Sequence, residues 1–169
     1  MNIEKGSDNK RIEPLYLNDI AQLWIILTIE AGTIRRIGLS TEKPEGRHSR
    51  PSTANLLKQI LMGRDNARTG LKFTISGTAF QQAVWTETCK IPHGCLKSYQ
   101  DIGRVIGCKS ARAVGQALKS NPLPIIVPCH RVIGKNGRLT GFSCGIEIKQ
   151  KLIDFEYNTR STDYEDRNF

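Results

Sequence analysis

The chain has 169 residues, of which 38% are hydrophobic and 24% charged, enough for one ordinary domain or two small ones around a packed core. That composition excludes wholesale disorder, and the formal net charge of +9 points to a polyanionic partner, because a positive field concentrates phosphate groups. The five cysteines (Cys89, Cys95, Cys108, Cys129, Cys144) are odd in number and form no CxxC pair, so a disulfide framework or structural zinc site fits poorly and a reducing interior is expected.

In chain order, the opening MNIEKGSDNKR is polar and unlike a signal peptide, and residues 1–13 are expected to be loose. Gln22 to Ile29 reads as a strand, Gly32 supplies a turn, and Ile34 to Leu39 returns as a second strand. The apolar run from Leu23 to Thr28 is far too short to span a membrane. Ser40 to Ser52, rich in Gly, Pro, Arg and Ser, reads as a loop. Ala54 to Met62 is a helix with Leu56, Leu57, Ile60 and Leu61 on one face, and Leu71 to Ile75 a further short strand.

Thr78-Ala-Phe-Gln81 has the form of a capping box, opening a helix that the Ile91-Pro92-His93-Gly94 stretch stops. Ser98-Tyr-Gln-Asp101 is a second such box, leading into a short helix with Ile102, Val105 and Ile106 in a stripe. A turn at Gly107-Cys-Lys109 and a cap at Ser110 start the next helix, with Ala111, Val114, Ala117 and Leu118 inward. Two short helices joined by a glycine-containing turn make a candidate helix-turn-helix. Leu123 to Val127 is expected to be extended and buried, because Pro122, Pro124 and Pro128 forbid a helix. Asn136-Gly137 marks a turn, Glu147 to Tyr157 a last helix with Ile148, Leu152, Ile153 and Phe155 inward, and residues 158–169 a disordered polar tail.

The chemistry-bearing residues follow. Cys129 is a nucleophile only as thiolate, which needs a base or positive field, and His130 and Arg131 adjoin it in sequence. Neighbours on an extended segment point apart, so PCHR alone leaves open a small buried cysteine at the end of an apolar run. Glu156 falls beside the apolar stripe of the last helix, where a carboxylate must be paired; it either orients His130 or reaches solvent. Ala111, Ala113, Gly115 and Ala117 make the second helix of the motif small-sided, and Arg112 stands near its start, able to wedge into a base stack or simply to be solvated. Tyr99 could stack on a base or donate a hydrogen bond, or be partly buried with its hydroxyl exposed.

Gly77-Thr-Ala-Phe-Gln-Gln-Ala-Val-Trp85, Ile91-Pro-His-Gly94, Ser98-Tyr99, Ala111-Arg-Ala-Val-Gly115, Asn121-Pro122 and Ile126-Val-Pro-Cys-His-Arg-Val-Ile-Gly134 stand in one order, followed by Gly141-Phe-Ser143 and a helix ending at Glu156. In this the chain resembles the O6-alkylguanine-DNA alkyltransferases over residues 77 to 156. The resemblance implies that Cys129 accepts the alkyl group, that His130 is its base through a water, and that Glu156 orients the imidazole. It implies that Asn121 ties the helix-turn-helix to the active segment and that Tyr99 contacts and helps protonate the flipped guanine. It makes Arg112 the finger replacing the extruded nucleotide, places Gln100, Lys135 and Ala113 with the DNA contacts, and places Val132, Phe142, Ser143 and Leu118 around the base pocket.

The implied fold is α/β in the α+β sense: a sheet-and-helix domain over 1–76, then a mostly helical domain over 77–157 with a winged-helix-like helix-turn-helix. The implied partner is double-stranded DNA carrying O6-alkylguanine, bound through the minor groove by a monomer in the cytoplasm, or the nucleus of a eukaryote. No cofactor and no metal are expected: relatives that hold zinc near the N-terminus use cysteine there, and this chain has none before Cys89. Departures from the family pattern are Phe142 for Tyr, Cys144 for Gly or a bulky residue, and Lys151 for Trp. Cys144 leaves the pocket fairly open to larger alkyl groups. A non-catalytic lesion binder would lack Cys129, a transcription regulator leaves the PCHRV segment unexplained, and a cysteine hydrolase has no use for the basic charge or Arg112.

Overall fold

The computed structural model describes residues 10–17, 22–44 and 51–165. Strands β1 (Lys10–Leu17), β2 (Leu23–Glu30) and β3 (Thr33–Ser40) form an antiparallel sheet in the order β1-β2-β3. Strict alternation in β2 buries Leu23, Ile25, Leu27 and Ile29 on one face. Ala31 and Gly32, with φ of 48° and 76°, make the two-residue turn whose twist suits a hairpin. The expected looseness of residues 1–13 does not hold for Lys10 onward, which pairs with β2 from Lys10↔Glu30 to Leu17↔Leu23. This is an edge strand, where Pro14 and charged residues are tolerated, so hydrophobic pattern does not announce it. Residues 1–9, part of the loop expected over 40–52, and 166–169 lie outside the described residues.

Helix α1 (Pro51–Leu61) lays Leu57, Ile60 and Leu61 in the sheet's core. A 3-10 turn, Asp65–Gly70, follows. The strand expected at Leu71 to Ile75 is reduced to a single parallel bridge, Ile34↔Phe73. Leu123, Ile125, Ile126, Ile148 and Leu152, from far along the chain, complete this core.

Helix α2 (Ala79–Cys89) starts at a complete Thr78–Gln81 capping box. The two-residue strand β4 (Lys97–Ser98) leads into α3 (Tyr99–Val105), itself started by a reciprocal Ser98–Asp101 box. A left-handed Gly107 and the Ser110 cap turn the chain into α4 (Ala111–Lys119). Gly103 admits this turn: a Cβ there would stand 2.5 Å from the Cys108 carbonyl oxygen. Val84, Trp85, Ile102, Val114 and Leu118 fill a second core, and the Trp85 indole donates to the Ala117 carbonyl at 2.9 Å.

The expected extended run Leu123 to Val127 is instead a tight turn, with Val127 N–H donating to Leu123 O at 2.9 Å and Ile125 at φ 77°. The segment serves two cores at once, giving Leu123, Ile125 and Ile126 to the sheet and Val127 to the helices, whereas a straight strand would set Leu123, Ile125 and Val127 on one face and Ile126 on the other. After it, β5 (Val132–Ile133) pairs in parallel with β4. The last helix, α5 (Ile146–Glu165), runs well past Tyr157. The tail read as disordered from residue 158 is thus helical as far as Glu165: residues 158–165 contain no Gly or Pro to end a helix, but they are polar and give no apolar stripe by which to see one. Among the described residues no helix is long and apolar enough to cross a membrane.

Candidate active site

Cys129, His130 and Arg131 form one 3-10 turn, all three buried. The Asn121 amide donates from Nδ2 to Cys129 Sγ at 3.1 Å and to the Val127 carbonyl at 3.0 Å, while its Oδ1 accepts from Leu123 N–H at 3.0 Å. One side chain at the end of the helix-turn-helix thereby fixes the thiol and the turn before it. Burial pushes the Cys129 thiol up to about 11, against the opposing pull of the Asn121 hydrogen bond. At rest the sulfur is a thiol.

His130 Nε2 lies 2.8 Å from Glu156 Oε1, and its Nδ1 is buried without a hydrogen-bond partner among the described residues. Burial raises the Glu156 pKa, but hydrogen bonds from His130 and its other neighbours outweigh it and hold the carboxyl well below its usual range. An ionised carboxylate only accepts, so Nε2 carries the imidazole proton and Nδ1 offers the lone pair. Burial also depresses the His130 pKa below 6.5, the Glu156 bond opposing it, so the ring is neutral near neutral pH.

Arg131, read from sequence only as positive charge for the thiol, points elsewhere. Its Nε and Nη2 donate to Glu156 at 2.8 to 3.1 Å, and Nη1 donates to the Ile91 carbonyl at 2.7 Å. Gly94 N–H donates to Glu156 Oε2 at 3.0 Å. The stretch read as a helix stop is therefore also a backbone clamp on this ion pair. Its local sequence shows a turn, and nothing in it shows the partner sixty residues away.

Lys149 is a second residue that pattern reading missed, hidden within an otherwise ordinary helix. It is fully buried, and its Nζ donates to the carbonyls of Val132 at 2.6 Å and Thr140 at 3.0 Å. Burial brings its pKa down to about 8, with the nearby Cys129 opposing. The ammonium lies 5.7 Å from the Tyr99 ring centre and 6.0 Å from that of Phe142. It ties α5 to both sides of the segment 132–142. Tyr99 donates its hydroxyl to Thr140 O at 2.7 Å, and burial raises its pKa above 10.0, which keeps the phenol protonated.

A cleft of about 460 Å³ opens beside this cluster, lined by Tyr99, Gln100, Arg112, Gly115, Lys135 and Thr140 among others. The structure thus brings Tyr99, Gln100, Arg112 and Lys135 to one opening. Ala113 is half-buried on α4 and does not line it. Leu118 and Val132 sit inside the helical core with Cys129, and Phe142 touches both cores. Ser143 is exposed, its Oγ 4.0 Å from Cys144 Sγ. Lys151 makes a 3.4 Å ion pair with Glu147.

Residues 79–158 match the family model described as 6-O-methylguanine DNA methyltransferase, DNA binding domain. The inducible methylated-DNA–protein-cysteine methyltransferase of Bacillus subtilis is 54% identical over 87 residues, 51% of this chain and 49% of its own length. A probable methylated-DNA–protein-cysteine methyltransferase of Acanthamoeba polyphaga mimivirus is 44% identical over 101 residues, 59% of this chain and 67% of its own. In the first of these relatives the matched stretch spans about half the protein. The structure of Mycobacterium tuberculosis OGT in complex with DNA superposes with a TM-score of 0.70 at 30% identity, covering 88% of this chain and 93% of that one. The motifs, the fold and these similarities together make the chain a member of the O6-alkylguanine-DNA alkyltransferase family.

Proposed function

We propose that the protein repairs DNA by moving the alkyl group from O6 of a flipped guanine onto Cys129 Sγ, once, without cofactor. The reading rests foremost on Asn121 holding the buried sulfur at 3.1 Å on the same turn that carries a neutral imidazole backed by a carboxylate. The lesion carbon is inside the duplex, so the nucleotide must leave the stack to reach this sulfur. Arg112, at the mouth of the cleft, fills the space it leaves, and Gln100 and Lys135 take phosphates of the minor-groove-bound duplex.

With the thiol raised to about 11, deprotonation belongs to the reaction itself. The Sγ proton passes through a water to His130 Nδ1 while Glu156 supports the imidazolium. Sulfur then attacks the alkyl carbon, the carbon–O6 bond breaks, and its electrons return to the base. The Tyr99 phenol, kept protonated by burial, supplies a proton so that a neutral guanine leaves. The product thioether has neither an acidic proton nor a good leaving group, so the protein is consumed.

Intact-protein mass after mixing with a duplex bearing one O6-methylguanine tests this. One added methyl on Cys129, absent from Cys129→Ser, is expected. Tight lesion binding without any mass change would instead identify a lesion-binding protein. The same assay with a benzyl lesion tests the expectation that Cys144 leaves room for larger alkyl groups: benzyl transfer is expected, and its absence would remove that part of the reading.

A further inference from the structure

The proposed chemistry leaves one imidazole unused. His93, in the clamp turn, is largely buried, with Nδ1 3.8 Å from Glu156 Oε1 and Nε2 3.0 Å from Thr159 Oγ1. The Thr159 hydroxyl has a single proton, and it donates at 2.9 Å to the Phe155 carbonyl, the usual back-bond of a helical threonine. The hydroxyl therefore accepts from His93, and Nε2 carries the proton of the neutral ring. Nδ1 is then a bare lone pair facing a carboxylate oxygen, which explains why it is buried yet without a hydrogen bond among the described residues. Neutral His93 gives Glu156 nothing; only its imidazolium has a proton to offer.

The ring is held where that matters. Gly63, just beyond α1, has φ 78°, and a Cβ on it would stand 2.9 Å from His93 Cβ and Cγ. Among the described residues, the charged groups that face His93 are Glu156 of α5 and, across that carboxylate, Arg131 and His130 of the catalytic turn.

We propose that His93 is a positioning residue for Glu156 that engages it on protonation, competing with His130 for Oε1 and so making alkyl transfer sensitive to acid in two steps. The inference builds on the alkyl-transfer reading. Oε1 already receives His130 and Arg131, and a third cationic donor weakens its hold on His130. Two imidazoliums sharing one carboxylate also repel, so protonation of the first makes the second harder.

Two readouts test it on the full chain, between about pH 5 and pH 8, the window in which imidazoles change charge. The first is the single-turnover transfer rate with saturating O6-methylguanine duplex. The wild type is expected to lose rate in two resolved steps toward acid, and His93→Phe, which keeps a flat ring and removes both nitrogens, in one. The second is the nitrogen NMR titration of His130, simple to assign with three histidines in the chain. His130 is expected to take its proton at higher pH in His93→Phe than in the wild type. If His93→Phe does not fold, His93→Asn, polar but without charge, is expected to give the same two changes. A one-step wild-type profile with an unshifted His130 titration overturns the proposal. A shifted titration in a protein that transfers nothing at any pH would uphold the coupling of the two imidazoles while sinking the alkyl-transfer reading.

Discussion

Replacing Glu156 by Gln would leave the Arg131 guanidinium buried with its countercharge gone, the situation in which a broken buried pair is most damaging. A loss of about 3–5 kcal/mol is expected in urea unfolding. Arg131→Met together with Glu156→Gln should recover part of it, because no charge is then stranded. The pair also sets the response to acid. Glu156 has its folded pKa depressed below 4.5, so its stabilisation is complete above that value and is lost as pH falls toward the folded one. His130 is depressed below 6.5, so the unfolded chain binds the proton more readily and stability also declines as pH drops below 6.5. Thermal midpoints should therefore begin to fall near pH 6.5 and fall further below 4.5. In Glu156→Gln the lower part of that decline should disappear.

The helix-turn-helix depends on local devices that can be removed singly. Ser98→Ala takes away one side of the capping box of α3 and should cost about 1 kcal/mol, read by urea unfolding. Gly103→Ala should be worse, because its Cβ would meet the backbone oxygen of Cys108 at 2.5 Å and one of the two helices must shift. A variant that still folds should bind lesion DNA weakly even with the cleft residues untouched; unchanged binding would count against this account of the turn. Both capping boxes and the turn were legible in the sequence, since a cap is a matter of residues three apart. Edge strand β1 and the distal part of α5 were not: Pro14 and the charges of Lys10, Arg11 and Glu13 argue against a strand, and residues 158–165 show no apolar stripe. Cys129, His130, Glu156 and Asn121 could be picked out by motif and do stand together. The roles of Arg131, Gly94 and Lys149 arise from contacts that only the fold creates, spanning from 17 to 62 residues of chain.

Across the whole molecule, the net charge of +9 and a cleft edged by Arg112, Lys119 and Lys135 predict binding to duplex DNA that weakens steeply with salt. Lys135→Ala should reduce the slope of log affinity against log salt by about 1, whatever the base opposite. Arg112→Ala should in addition lower the rate of transfer at saturating DNA, where Lys135→Ala does not. The chain's two cores are joined through residues 123–127, so the sheet is part of what fixes the segment leading to Cys129. No stretch of sequence displays that dependence, because it rests on a turn at Ile125 that the surrounding prolines do not specify.

The raised thiol has a consequence for the lifetime of the protein in a cell. At neutral pH a group with a pKa of about 11 is ionised in only about one molecule in ten thousand. Soluble alkylating agents, which meet every exposed nucleophile, would find this one inactive until a substrate and its proton path are in place. On the proposed single-turnover reading, a reagent that works once would then be held in reserve, its stock depleted by lesions and hardly by the agents that cause them. Exposing the folded protein to iodoacetamide should accordingly label Cys89, Cys95, Cys108 and Cys144, all partly exposed, well before Cys129.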